Sequence, residues 1–236
     1  MYDMFDFPKG SMNDEKGQTV YEGCQKKEGF WKCMDFTEME KRFLCILLVD
    51  HSGSTSSFIN EINEGLKRFV RITQEQEDAD AFDLMVFPFS SDVAELINSP
   101  VIDVDPDAIK PLKSGGFTRL DLALETACEK MIAYMHGNKL NFSNQRPCIV
   151  IISDGLPTDG RGKYLDAEDR DRLVNICQRI IACKYASIYT FFVGRDKDGA
   201  DFLKQLASAE CAFQIESIGE KIQQMFELLS ITAWLD

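Results

Sequence analysis

The chain has 236 residues, 39 acidic against 26 basic for a formal charge of −13, and 44% apolar content, which suits one α/β domain with an extension. No Lys/Arg-rich stripe interrupts the acidity, so phosphate backbones are repelled and nucleic-acid binding is set aside. The longest strongly apolar run, Phe43 to Val49, is far too short to span a bilayer, and no charged segment leading into an apolar one opens the sequence; no membrane association and a cytoplasmic location are expected.

Residues 1–40 mix glycine, acidic and aromatic residues, with Phe5, Phe7, Trp31 and Phe36 too irregularly spaced for a helix. They read as an N-terminal extension, partly irregular, that packs on the domain or docks a partner, and residues 41–236 read as the domain itself. Phe43–Val49 is continuously apolar, as a parallel strand buried on both faces must be. From Ser56 to about Thr73, Phe58, Ile62, Leu66 and Phe69 recur at helical spacing, and Phe82–Phe89 supplies the next strand. Val93–Ile97 is expected as a short antiparallel edge strand, returned by a tight turn at Ser90–Asp92. Helix and strand then alternate through Arg119–Met135, Cys148–Ile152, Asp166–Lys184, Ser187–Val193, Gly199–Ser208, Ala212–Ile215 and Ile218–Leu229. The alternation predicts an α/β fold, a Rossmann-like doubly wound and mostly parallel sheet with one short antiparallel edge strand.

Five oxygen-bearing residues stand out in that frame. Asp50, Ser52 and Ser54 occupy LLVDHSGSTSS after the first strand, Thr118 lies in SGGFTRLDLAL, and Asp154 follows a strand in IVIISDGLPTDG. Three hydroxyls and two carboxylates suit a hard divalent cation, Mg²⁺ or Mn²⁺ before others with Ca²⁺ as an alternative, because such ions favour oxygen ligands. Five such groups leave coordination sites for water or an outside ligand. In doubly wound sheets ligands bind beyond the carboxyl ends of the strands, and all three loops are expected to reach that rim.

D-x-S-x-S at Asp50, Ser52 and Ser54, G-x-T-x-L from Gly116 through Thr118 to Leu120, and S-D-G from Ser153 to Gly155 together resemble the metal-ion-dependent adhesion site of von Willebrand factor A domains. The resemblance covers about residues 41–232. It implies that Ser52, Ser54 and Thr118 touch the metal directly and that Asp50 and Asp154 hold it largely through water. SDGLPTDG and VFPFSSDVAEL are similar to small stand-alone bacterial proteins of the tellurite-resistance and stress-response type, although His51 and Thr55 depart from the usual first loop. The implied function is a non-enzymatic, metal-dependent protein-interaction module. Its partner presents an acidic residue to the metal, and a kinase, phosphatase or AAA+ ATPase is the expected company.

Rival chemistry is poorly served. A haloacid-dehalogenase-like phosphotransferase resembles D-x-D-x-T, whereas residue 52 is Ser, so the second carboxylate is missing. A serine hydrolase lacks a G-x-S-x-G elbow and has only His51 and His136 as bases. His51 is expected to pack at the rim, His136 to favour a helix C-terminus, Asp121 a helix start, and Asp159 a turn. The alternative within the resemblance is a regulatory subunit of an AAA+ machine, although this chain carries no G-x-x-x-x-G-K-[ST]. The eight cysteines include no C-x-x-C; Cys45, Cys148 and Cys177 sit in apolar patterns, Cys24 and Cys33 in the extension, and reduced thiols are expected throughout.

Overall fold

The computed structural model describes residues 12–13, 19–20, 42–138 and 147–215. The chain separates into two units, Met1–Met39 and Glu40–Asp236. Within the first, β1 (Met12–Asn13) and β2 (Thr19–Val20) pair antiparallel. The second holds every other described element.

Its centre is β3 (Phe43–Asp50), whose residues from Leu44 onward are all buried. β3 pairs in parallel with β4 (Phe82–Phe89) on one side and with β6 (Cys148–Ser153) on the other. β7 (Ser187–Val193) and β8 (Ala212–Ile215) extend the parallel set, and β5 (Ile97–Pro100) closes the opposite edge antiparallel to β4. The order β5-β4-β3-β6-β7-β8 matches the expected doubly wound, mostly parallel sheet with one antiparallel edge strand.

Alternation on β3 divides the core. Cys45, Leu47 and Val49 join Phe58, Ile62, Leu66, Phe69 and Val70, most of them on α1 (Ile59–Gln74), in one apolar cluster. Leu44, Ile46 and Leu48 are buried on the other face, and α2 (Leu120–Gly137) packs against β3 and β4. α3 (Ala167–Ala182) and α4 (Lys197–Leu206) both pack against β7. Each fully buried Leu, Ile or Phe contributes about 1.5–3 kcal/mol, so this core, remote from the strand ends, holds the frame on which the loops are mounted.

Several boundaries differ from expectation for identifiable reasons. The helix expected from Ser56 is delayed: Gly53–Ser57 forms a 3-10 turn, and Phe58, with φ −141, breaks it from α1. α3 starts one residue after the expected Asp166 and α4 two residues before the expected Gly199, because Asp166 and Asp196 serve as N-caps, accepting from the Asp169 and Gly199 backbone N–H groups. α3 stops before Lys184, which adopts φ 57. The edge strand was expected at 93–97 and instead forms its ladder at Ile97–Pro100. Phe89 bridges Val93 and Val86 pairs with Ile97, so three steps along β4 match four on the return strand, a one-residue bulge. Pro88, which has no N–H, lies inside the bulged stretch and accepts from Ala94 N at 3.0 Å. The helix expected at Ile218–Leu229 and the cysteines at 24 and 33 lie outside the described residues.

Candidate functional site

The chain leaves β3 toward β4 on one side and later returns to β6 on the other, which opens a crevice beyond the carboxyl ends of β3 and β6. Asp50 is the last residue of β3, and Asp154 follows β6 directly. The register that aligns Val49 with Ile152 brings Asp50 beside Ser153, whose hydroxyl donates to Asp50 Oδ2 at 2.6 Å. The other carboxylate oxygen, Oδ1, accepts from the Ser52 backbone N–H at 2.8 Å. Ser52 Oγ and Ser54 Oγ share a hydrogen bond of 3.0 Å, and Ser54 Oγ donates to Asp154 Oδ1 at 2.8 Å. Four of the five singled-out residues therefore form one connected set of oxygens.

Thr118 reaches the same rim by its backbone. Its N–H donates to Thr158 Oγ1 and its carbonyl accepts from Thr158 N–H, both at 2.9 Å. The preceding turn is tied to the first loop, since Gly53 N–H donates to Gly116 O at 3.2 Å and Gly115 N–H to His51 O at 2.9 Å. Gly116 has φ +78, and a Cβ there would lie 2.6 Å from Ser91 Oγ, so both the backbone shape and the close approach demand glycine. The Thr118 hydroxyl joins none of the hydrogen bonds among the described residues.

The electrostatics of the crevice are unbalanced. Asp50 is fully buried, and burial raises its carboxyl above the ordinary range against the opposing hydrogen bonds from Ser153 and Ser52. Burial, and then the neighbouring Asp50, lift Asp154 to about 6. Among the described residues neither carboxylate pairs with Lys or Arg. Two acids in contact with hydroxyls and no cationic side chain are a set that a hard divalent cation fits, since it supplies the missing charge and prefers these oxygens. No cluster of three or more His, Cys, Asp or Glu occurs among the described residues, so hydroxyls are integral to any such site.

The neighbouring candidates have other duties. His51 Nδ1 lies 2.9 Å from Lys113 O, holding the ring at the rim. Asp159 accepts from the Arg161 and Lys163 N–H groups at 2.8 and 3.0 Å, closing its own turn. Asp121 pairs with Arg119 at 2.7 Å, and His136 stands in the last turn of α2. Two contributors had no assigned role in the sequence: Ser153, visible only as the residue before Asp154, and Thr158, which fixes Thr118. The position of Ser153 opposite Asp50 is a matter of strand register, which the sequence does not spell out.

A model of the von Willebrand factor type A domain matches residues 45–228. The chain belongs to that family. Von Willebrand factor type A domains commonly serve as metal-dependent protein-interaction modules. Comparison with curated proteins finds no match. Among solved structures, the chain resembles the pilus adhesin SpaC from Lactobacillus rhamnosus GG at 12% identity and TM-score 0.64, over 81% of this chain and 30% of the adhesin. It resembles the ArnB paralog VWA2 from Sulfolobus acidocaldarius at 20% identity and TM-score 0.52, over 81% of this chain and 45% of that one. The manganese-loaded TRAP protein of Plasmodium vivax is similar at 15% identity and TM-score 0.52, over 78% of this chain and 72% of that one. At these identities the likeness establishes the fold, and the chain spans less than half the length of the adhesin and of the archaeal protein. No helix among the described residues is long and apolar enough to cross a membrane.

Proposed function

We propose that this von Willebrand factor type A chain is a non-enzymatic protein-interaction module working through a metal-ion-dependent adhesion site. Asp50, Ser52, Ser54, Thr118 and Asp154 would hold the cation, Mg²⁺ in preference to Mn²⁺ or Ca²⁺, and an Asp or Glu of a protein partner would complete its shell. The observation that carries this reading is the meeting of a fully buried Asp50 and a half-buried Asp154, with no Lys or Arg paired to either among the described residues. The cation supplies positive charge for the incoming carboxylate; the residues themselves position it and exclude competing side chains.

Buried reduced thiols at Cys45, Cys128 and Cys177 support a cytoplasmic setting, with burial pushing Cys128 up to about 12 and so away from thiolate chemistry. A bacterial stress or defence role of the tellurite-resistance type is the narrower form of the proposal and rests on the sequences 86–96 and 153–160. Affinity capture of partners with wild type in Mg²⁺, with wild type in chelator, and with Thr118→Ala tests it. Partners retained only by the first are expected; partners retained equally by all three contradict the reading. Recovery of an ATPase with a phosphate-binding loop would favour a regulatory subunit of an AAA+ machine over a kinase or phosphatase scaffold.

A further inference from the structure

The rim beside Thr118 carries an aromatic and basic surface that the metal-site residues do not explain. Four large apolar side chains are exposed among the described residues, and two of them, Phe117 at 40% and Tyr164 at 66%, flank the site. Residues 158–164 form a small hairpin, with Thr158 and Tyr164 bridged antiparallel and Asp159 closing the turn. This hairpin is bonded to Thr118 through Thr158 on both backbone groups. The Phe117 ring lies on Gly162, where a Cβ would meet Phe117 Cε1 at 2.5 Å and where φ is +79. Arg119 reaches the other side of the turn, its Nη1 3.1 Å from the Cβ position of Gly160. Residues 117 and 119 thus grip the hairpin on either side of Thr118, and the gripped turn presents Arg161, Lys163 and Tyr164 to solvent.

The charge of this surface runs against that of the chain. Arg161, Lys163 and the exposed Lys113 on the far side of His51 ring the site in a protein of net charge −13. Asp159 sets one negative charge against Arg161 and Lys163 while its carboxylate accepts from their backbone N–H groups, and Asp121 is paired with Arg119, so the three exposed cations outnumber the acid of the turn. Aromatic and arginine side chains standing together are the composition of interface anchors, and a local cationic field in an acidic protein selects an acidic partner by complementarity.

We propose that Phe117, Tyr164, Arg161 and Lys163 form the specificity surface of the interaction site, and that it takes an acidic peptide segment bearing an apolar or aromatic residue close to its metal-directed carboxylate. This rests on the proposed function, since the carboxylate needs the cation at Asp50 and Asp154. The apolar residue of the partner packs on Phe117 and Tyr164, and flanking acids face Arg161, Lys163 and Lys113.

The test uses the full chain and a phage-displayed random dodecapeptide library, selected in Mg²⁺. Enriched peptides should carry an Asp or Glu with an apolar neighbour and further acids. A synthetic peptide of the enriched sequence should bind roughly tenfold or more weakly to Phe117→Ala and to Tyr164→Ala, and its affinity for Arg161→Glu/Lys163→Glu should fall by a similar factor. Tyr164 is two-thirds exposed, so its substitution leaves the fold intact even if Phe117→Ala loosens the hairpin. Magnesium-dependent binding unchanged in all three variants overturns this inference and leaves the metal site standing. Binding equal in chelator and in Asp50→Ala overturns the proposed function instead. Failure of the library to yield any magnesium-dependent binder counts against the inference as well.

Discussion

Ser54 Oγ donates to Asp154 Oδ1 at 2.8 Å across 100 residues of sequence. That bond joins the loop after β3 to the loop after β6, the two neighbours between which the sheet changes direction. It also makes the proton balance of the crevice depend on what else binds there.

Asp154 is raised from 3.8 to about 6 by burial and by Asp50. Between those values the folded chain binds more protons than the unfolded one, so in chelator this group favours folding at low pH and loses that contribution as pH rises through about 6. Thermal melts of wild type and Asp154→Asn in chelator should therefore diverge in favour of wild type as the pH falls. A difference independent of pH would contradict the shift. In Mg²⁺ the dependence reverses, because the metal competes with the proton and its affinity should fall roughly tenfold per pH unit below 6.

Ser153→Ala removes the hydroxyl that donates to the buried Asp50 Oδ2. A buried acceptor stripped of one partner costs about 1–3 kcal/mol, to be read from urea unfolding at neutral pH in chelator. A change within error would mean that the carboxylate finds another donor.

Gly116→Ala tests the loop that carries Thr118. With φ +78 and Ser91 Oγ 2.6 Å from the new Cβ, the loop must move. The expected cost is about 1–2 kcal/mol in stability, together with weaker Mg²⁺ binding. Unchanged metal affinity would place Thr118 outside the working site.

A control lies at the other end of the sheet. Arg42 holds Asp83 by two bonds of 2.6 and 2.7 Å, and the Tyr134 hydroxyl donates to the same carboxylate. Arg42→Met leaves Asp83 buried without a cation and should destabilise by about 3 kcal/mol, the low end for a broken buried pair, while metal affinity stays as it was.

The sequence showed the frame where burial on both faces leaves a plain mark. Phe82–Phe89 and Ser187–Val193, buried along their whole length, are strands at their expected limits, since a short, mostly apolar run has few other folds available, and the edge strand Ala212–Ile215 also falls at its limits although Phe213 and Gln214 are exposed. It was less legible where geometry depends on pairing. The bulge between Phe89 and Ile97 turns on which residue of the return strand is skipped, and Val93, Ala94 and Leu96 carry no such label. The oxygen set was readable because its residue types are unusual together, and the structure draws Asp50, Ser52, Ser54 and Asp154 into contact. The support from Ser153 and Thr158, and the hairpin clasped by Phe117, arise from register and turn packing between segments 40 or more residues apart.

Calorimetric titration of Mg²⁺ into chelator-stripped protein at neutral pH measures the central claim. Wild type should bind one equivalent, Asp50→Ala and Asp154→Ala should bind none, and all three should remain folded, with the cation stabilising only wild type by about 2.7 kcal/mol at a hundredfold excess over Kd. No heat of binding in wild type with Mg²⁺, Mn²⁺ or Ca²⁺, or binding that survives loss of both carboxylates, would contradict it.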